Sequence, residues 1–282
     1  MKNQKKVAAI HDMSGFGRCS LTVILPVISA MGIQVCPVPT AVMATHTGGF
    51  GDVVMKDLSE LIPVSLKKYK ELKIDFDAVY SGFLASETQI DHCLDFFGSY
   101  PDALKVVDPV MGDHGRVYST YTEELCKRMG ELTDVADLIT PNVTEAAILL
   151  GEKYTQFMEK DTARNWLKRL RERTPTVVIT GVHLPDGDVI NICADKNGQW
   201  AVKCEYVPES YPGTGDLFAS VLTGSLLKGC ELGEAAGRAT AFTEAAITAT
   251  FEKKTEPRNG VAFEEILPLL TQNNFSREFK RF

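Results

Sequence analysis

The sequence predicts an α/β fold with a mostly parallel central sheet, and three observations carry the prediction. Short runs rich in β-branched and apolar residues at 7–10, 33–38, 78–80, 104–107, 137–139 and 176–180 alternate with segments long enough for a helix and apolar at helical spacing, the order of βαβ units. Several of these runs end in small or turn-forming residues, Ser81-Gly82, Asp108-Pro109, Thr140-Pro141-Asn142 and Thr180-Gly181, where open α/β sheets bind ligands. The 282 residues, 44% hydrophobic and 24% charged, have the composition of a soluble globular chain without a Pro/Gly/Ser-rich linker, so a single domain over 1–282 is expected.

The first run, Val7-Ala8-Ala9-Ile10, is too short for a secretory apolar core, and no stretch approaches the ~18 uncharged apolar residues of a membrane helix. A cytoplasmic protein with no membrane association is expected. The run at 33–38 leads into a loop rich in glycine (Gly48, Gly49, Gly51). Within 164–173, Trp166, Leu167 and Leu170 recur at helical spacing among Lys168, Arg169, Arg171 and Arg173, which reads as a buried stripe beside a solvated face. That is the only candidate basic patch, and a net charge of −7 opposes a polyanionic partner, so no nucleic acid is expected. After Gly181 the pattern changes: 189–193 and 199–206, joined around Asp195-Lys196-Asn197-Gly198, read as a hairpin, and two helical segments follow at 216–228 and 232–250. The seven cysteines include no CxxC pair and no cluster with histidine, as expected of buried thiols in a reducing compartment.

The stretch Tyr211-Pro212-Gly213-Thr214-Gly215-Asp216 leads from the strand-rich region into an apolar helix. Its glycines permit a tight turn, after which the amides of residues 213–216 point outward at a helix N-terminus, an arrangement that binds anions. On spacing alone, Asp216 is equally a helix-capping residue. Other phosphate and nucleophile motifs are missing: there is no GxxxxGK[ST], Ser14-Gly15-Phe16-Gly17-Arg18 lacks the third glycine of a dinucleotide fingerprint, and no GxSxG occurs.

Taken in order, Thr45-His46-Thr47, Ser81-Gly82-Phe83, Asp108-Pro109-Val110-Met111-Gly112-Asp113, Thr140-Pro141-Asn142-Val143-Thr144-Glu145 and Gly213-Thr214-Gly215-Asp216 resemble the pyridoxal kinase group of the ribokinase-like superfamily over nearly the whole chain. The resemblance implies a three-layer α/β/α sandwich, usually a homodimer, that transfers the γ-phosphoryl of ATP to the 5′-hydroxyl of pyridoxal, pyridoxine or pyridoxamine. It makes Asp216 the base that takes the hydroxyl proton, and Gly213, Thr214 and Gly215 the anion hole for the transferring phosphoryl. Such a cradle suits phosphoryl transfer, which asks for in-line positioning and stabilisation of charge on the equatorial oxygens. Asp108 and Glu145 resemble the acidic residues around Mg²⁺ and a monovalent cation (K⁺), held directly or through water. On the nucleotide side the resemblance implies Asp113, Tyr118, Thr140, Asn142, Thr180 and the adenine-side loop from Val207 to Glu209; on the acceptor side it implies Asp12, His46, Thr47 and Phe83.

Two positions depart from the group. Asp12 stands where many members have serine, and Phe83 where many have tyrosine; Phe83 keeps a face for stacking but lacks the hydroxyl. A carboxylate at the ring would favour a cationic partner and place pyridoxamine ahead of pyridoxal, unless Asp12 is a turn residue facing away. Superfamily sugar kinases carry an early β-lid, whereas one short strand and a glycine-rich loop between 33 and 56 are expected to make a flap. Two other functions stay open. Hydroxymethylpyrimidine kinase shares the Asp-Pro-Val-Met run, although it usually has Gly-Gly-Ala-Gly after its first strand; a non-catalytic vitamer-binding protein would keep the fold without turnover.

Overall fold

A computed structural model describes residues 4–205, 207, 209–272 and 274–282. The first half of the chain forms β1 (Lys6–Phe16), α1 (Leu21–Ala30), β2 (Gln34–Thr45), β3 (Met55–Asp57), α2 (Leu61–Glu71), β4 (Ala78–Ser81), α3 (Glu87–Ser99), β5 (Leu104–Val107), β6 (Gly112–Asp113), β7 (Arg116–Val117), α4 (Glu123–Asp134) and β8 (Leu138–Ile139). The second half adds α5 (Val143–Leu150), α6 (Lys160–Arg171), β9 (Thr176–His183), β10 (Val189–Asp195), β11 (Gly198–Cys204), α7 (Thr214–Leu227), α8 (Leu232–Glu252), two 3₁₀ turns at Pro257–Asn259 and Glu264–Thr271, and β12 (Phe279–Arg281).

Ten strands form one sheet in the order β12-β11-β10-β9-β8-β5-β4-β1-β2-β3. The six from β9 to β2 pair in parallel, and the pairs beyond them at both edges are antiparallel. Side chains alternate across the sheet, which creates two cores. Ala8, Ile10, Val79, Val107, Ile139 and Val177 pack against α2 to α6, through residues such as Ile62, Phe96, Met129, Ala146 and Trp166. Val7, Ala9, Tyr80, Val106, Leu138 and Val178 pack instead against α1, α7 and α8, through Ile24, Leu217 and Phe242. The result is the expected three-layer α/β/α sandwich.

On α6, Trp166, Leu167 and Leu170 are buried, while Arg169 pairs with Glu152 and, beyond the helix end, Arg173 pairs with Asp134. The basic run is therefore a solvated face. All seven cysteines are free thiols. Among the described residues no helix is long and apolar enough to cross a membrane.

The region 33–56 departs from expectation. Instead of one short strand, β2 runs for 12 residues, and beyond the glycine-rich loop at 46–54, which stays irregular, β3 returns to pair antiparallel with it, Ala41 opposite Asp57 and Met43 opposite Met55. β1 is longer too, and after a register shift between His11 and Met13 its second half, Met13 to Phe16, stays paired with β2. Pro37 and Pro39 make β2 read as a short strand. Both lie where only β1 adjoins it, because β3 reaches residues 41–43 alone, so the missing N–H groups interrupt no second ladder. The strand expected at 199–206 ends at Cys204, and Tyr206, like Pro208 of the adenine-side loop, lies outside the described residues.

Candidate active site

α7 starts at Gly213, which sits in the left-handed region at φ 85°, and a Cβ there would lie 1.9 Å from the Arg18 carbonyl oxygen. Only glycine fits. No side chain caps the helix, and the first amide bonded within it is that of Leu217, to the Gly213 carbonyl, so the amides of Thr214, Gly215 and Asp216 face outward as a cradle. Asp216 is not the cap. Its Oδ2 accepts the Ser20 amide at 2.8 Å, reaching across from the start of α1. Burial, reinforced by the charges of Asp108 and Asp12, pushes its carboxyl up to about 8 against the opposing Ser20 hydrogen bond.

Asp108 follows β5 and accepts the Thr140 hydroxyl at 3.1 Å; burial raises it to about 7. Glu145 lies in the first turn of α5, where a capping box fixes it: its Oε2 accepts the Asn142 amide at 2.9 Å and Asn142 Oδ1 accepts the Glu145 amide at 3.0 Å. Glu145 Oε1 takes the Met111 amide at 3.1 Å. Burial and the charge of Asp108 hold this carboxyl well above its ordinary value. Among the described residues, the hydrogen bonds made to Asp12, Asp108, Glu145 and Asp216 come from hydroxyls and amides, and no Lys or Arg pairs with any of the four carboxyls.

This has a consequence for stability. Between the ordinary aspartate value of 3.8 and the folded values of about 7 and about 8, the native state retains protons on Asp108 and Asp216 that the unfolded chain has released. Their contribution is complete below the unfolded value and is lost as pH rises through the folded ones. Thermal melts of the ligand-free protein are expected to give a lower Tm at about pH 8.5 than at about pH 6.5. That window also avoids His11, which is buried neutral with its pKa lowered to about 3 by burial and penalises folding mainly below its ordinary 6.5. A Tm that rose across the window would contradict the buried acid cluster.

The β6–β7 hairpin closes one side of this cluster. Asn142 Nδ2 donates to the Gly112 carbonyl at 2.9 Å, Asp113 in β6 is half-exposed, and the amide of Tyr118, just past β7, donates to Met111. Burial raises the Tyr118 phenol, helped by the nearby charges of Glu145, Asp113, Asp108 and Asp216. Thr180 bridges to Asn142 and donates its amide to Pro141. The structure thus brings Asp108, Thr140, Asn142, Glu145, Tyr118 and Thr180 into one region. Val207 and Glu209 lie between β11 and α7, linked by the Glu209 amide to the Val207 carbonyl.

A cavity of about 350 Å³ is lined by Thr47, Val53, Met55, Phe83, Ala85 and Thr120. Thr47 and Phe83 meet there as expected. Val53, Met55, Ala85 and Thr120 were not among the expected residues; the first two arrive on and beside β3, which the sequence hides.

Asp12 and His46 are placed differently from the expectation. Asp12 is 2% exposed and is not among the residues lining the cavity; it accepts the Ser14 hydroxyl at 3.1 Å and the Ser20 hydroxyl at 2.5 Å. The register shift beside it in β1 directs it toward the 14–20 turn. The expectation that Asp12 favours pyridoxamine by facing the ring therefore loses its geometric basis. His46 has both ring nitrogens engaged: Nδ1 accepts the Gly48 amide at 3.0 Å, leaving Nε2 to donate to the Arg258 carbonyl at 2.6 Å. It ties the glycine-rich turn to the 257–259 turn and offers no free polar atom to a ligand. Ser20 has φ 52° and ψ −132°, a conformation that type II′ turns reserve for glycine and that costs a serine ~1–3 kcal/mol.

A model of the family described as phosphomethylpyrimidine kinase matches residues 25–260. Among solved structures, a Bacteroides thetaiotaomicron protein described as a phosphomethylpyrimidine kinase, in an orthorhombic form with pyridoxal, is 40% identical with a TM-score of 0.93, covering 99% of this chain and 100% of that one. Pyridoxal kinase from Lactobacillus plantarum is 30% identical with a TM-score of 0.87, over 94% and 96% of the two chains. Pyridoxal kinase from Leifsonia xyli is 28% identical over 234 residues, 77% of this chain and 80% of that protein. The match to a Saccharomyces cerevisiae relative spans 63% of that protein's length.

Proposed function

The chain belongs to the phosphomethylpyrimidine kinase family, and on that premise we propose that it phosphorylates the 5′-hydroxyl of pyridoxal, pyridoxine or pyridoxamine with ATP as donor. The observation that carries the reading is the placement of Asp216 in the first turn of α7, beside three outward amides and with its carboxyl raised to about 8. The pyridoxal in the structure of the Bacteroides relative supports the choice of acceptor. In the reaction the acceptor hydroxyl gives its proton to Asp216 as its oxygen bonds to the γ-phosphorus and the bond from phosphorus to the leaving oxygen of ADP breaks. The amides of residues 214–216 take up charge on the phosphoryl oxygens without reorganising. A carboxyl titrating near neutrality is matched to that proton transfer.

Asp108 and Glu145 fit a hard cation. They are buried, repel one another, and have no basic partner among the described residues, conditions that Mg²⁺ with its retained waters would relieve. Among the described residues no three of His, Cys, Asp and Glu converge on one point, so phosphate and water oxygens would complete the shell. Bound there, Mg²⁺ would neutralise charge on the nucleotide phosphates. Added Mg²⁺ is expected to raise the Tm more at about pH 8.5, where the acids are ionised, than at about pH 6.5. Equal shifts at the two pH values would count against a site at this pair.

The cavity predicts where acceptor affinity resides. Met55→Asp puts an unpaired charge among Val53, Phe83 and Ala85 and is expected to raise KM for the acceptor roughly tenfold or more. KM for ATP should stay within about twofold; a parallel rise in both constants would remove the acceptor from this cavity. The assay that tests the whole reading is product identification with separate acceptors, including hydroxymethylpyrimidine.

A further inference from the structure

Ser20 precedes α1 at the position where a serine side chain normally accepts a helix amide, yet it makes no capping bond. Its hydroxyl donates to Asp12 Oδ1, and its own amide donates to Asp216 Oδ2. Both bonds depend on a backbone conformation that serine adopts unwillingly, with φ at 52°. Such a conformation persists only where its surroundings over-determine it. Among the described residues Asp12 is the side chain holding the Ser20 hydroxyl, and it is itself fixed by burial and by the Ser14 hydroxyl.

We propose that Asp12 is a positioning residue for phosphoryl transfer: by holding the Ser20 hydroxyl it keeps the Ser20 amide aimed at Asp216 Oδ2, which leaves the other Asp216 oxygen for the acceptor hydroxyl. The proposal rests on Asp216 being the base. Asp12 does not line the cavity of Thr47 and Phe83; in this role it fixes the rotation of the Asp216 carboxylate through Ser20. Proton transfer is sensitive to that rotation, because a misplacement of about 1 Å can lower a rate by roughly a hundredfold.

Two variants of Asp12 and one rescue test this, each assayed with whichever acceptor the wild type turns over. Asp12→Ala releases Ser20 and is expected to lower kcat roughly ten- to hundredfold, while KM for acceptor and for ATP changes less than about threefold. Asp12→Asn keeps an oxygen that accepts the Ser20 hydroxyl and should lose distinctly less than the alanine variant. The double variant Asp12→Ala/Ser20→Gly puts glycine where φ is positive, so the amide adopts its orientation without the tether and kcat recovers by about tenfold over Asp12→Ala. If Asp12→Ala fails to fold, the comparison of Asp12→Asn with the double variant carries the test. An unchanged kcat in Asp12→Ala, a loss confined to KM, or no recovery in the double variant overturns the proposal. A loss in Asp12→Asn as deep as in Asp12→Ala, selective for pyridoxamine, would instead show the carboxylate acting on a cationic substrate. A wild type inactive with every acceptor would sink the kinase reading itself, a result distinct from all of these.

Discussion

Replacing Asp216 with asparagine is expected to lower kcat by ~10²–10⁴, the range for loss of a general base, while leaving both KM values and the fold in place. Asparagine is neutral, as is the protonated carboxyl that burial favours up to about pH 8, and its amide oxygen still accepts the Ser20 N–H. Tm at neutral pH should therefore not fall, and above about pH 8 the variant should be the more stable of the two, because it never buries a charge among Asp12 and Asp108. Steady-state kinetics and melts on one preparation check both halves. A variant with near-normal kcat would remove Asp216 from the role of base.

The second large effect is structural. Gly213→Ala places a methyl group 1.9 Å from the Arg18 carbonyl oxygen at φ 85°, and the Arg18 backbone is not free to retreat. Arg18 bridges Gly260, its guanidinium reaches the Asn259 carbonyl at 3.3 Å, and it pairs with Glu264 at 2.6 Å. We expect a loss of about 2–4 kcal/mol from the positive φ and the overpacking combined, together with at least a tenfold fall in kcat as the amide cradle moves. Denaturant unfolding measures the first quantity. The control is Gly215→Ala, whose Cβ meets nothing nearer than Asp108 Oδ2 at 3.9 Å and which should unfold like wild type. Equal destabilisation at both positions would show that the cradle is not held by the Arg18 contact.

The turn at the start of α7 was legible because its residue types are forced. A turn pressed against the Arg18 carbonyl needs glycine at 213, and amides left outward at a helix start need no capping side chain there, which matches the turn that Gly213-Thr214-Gly215 suggests in the sequence; that Asp216 is not the cap appears only in the structure. The parallel strands were legible for a similar reason: Ala78-Val79-Tyr80 in β4, Val106-Val107 in β5 and Val177-Val178-Ile179 in β9 are fully buried apolar runs. The end of the sheet that shapes the acceptor cavity was not. The second half of β1 carries Ser14 and Gly15, β2 carries two prolines and β3 is three exposed residues, so none has the alternation that marks a strand. With β3 hidden, Val53 and Met55 could not be placed in the cavity. The directions of Asp12 and His46 were hidden as well, because they depend on long-range partners: Ser20 is held in a conformation that no local pattern encodes in serine, and the Arg258 carbonyl comes from 212 residues away.

The central claim is that this family fold transfers phosphate to a pyridoxal-type vitamer through Asp216. It is tested most directly by ADP release in the presence of Mg²⁺ and K⁺, measured separately with pyridoxal, pyridoxine, pyridoxamine and hydroxymethylpyrimidine, with the phosphorylated product identified by mass. The account predicts vitamer-dependent ADP release and a vitamer 5′-phosphate, abolished or nearly so in Asp216→Asn. Turnover of hydroxymethylpyrimidine alone would contradict the acceptor assignment while keeping the catalytic residues, and vitamer binding without ADP release would contradict catalysis altogether.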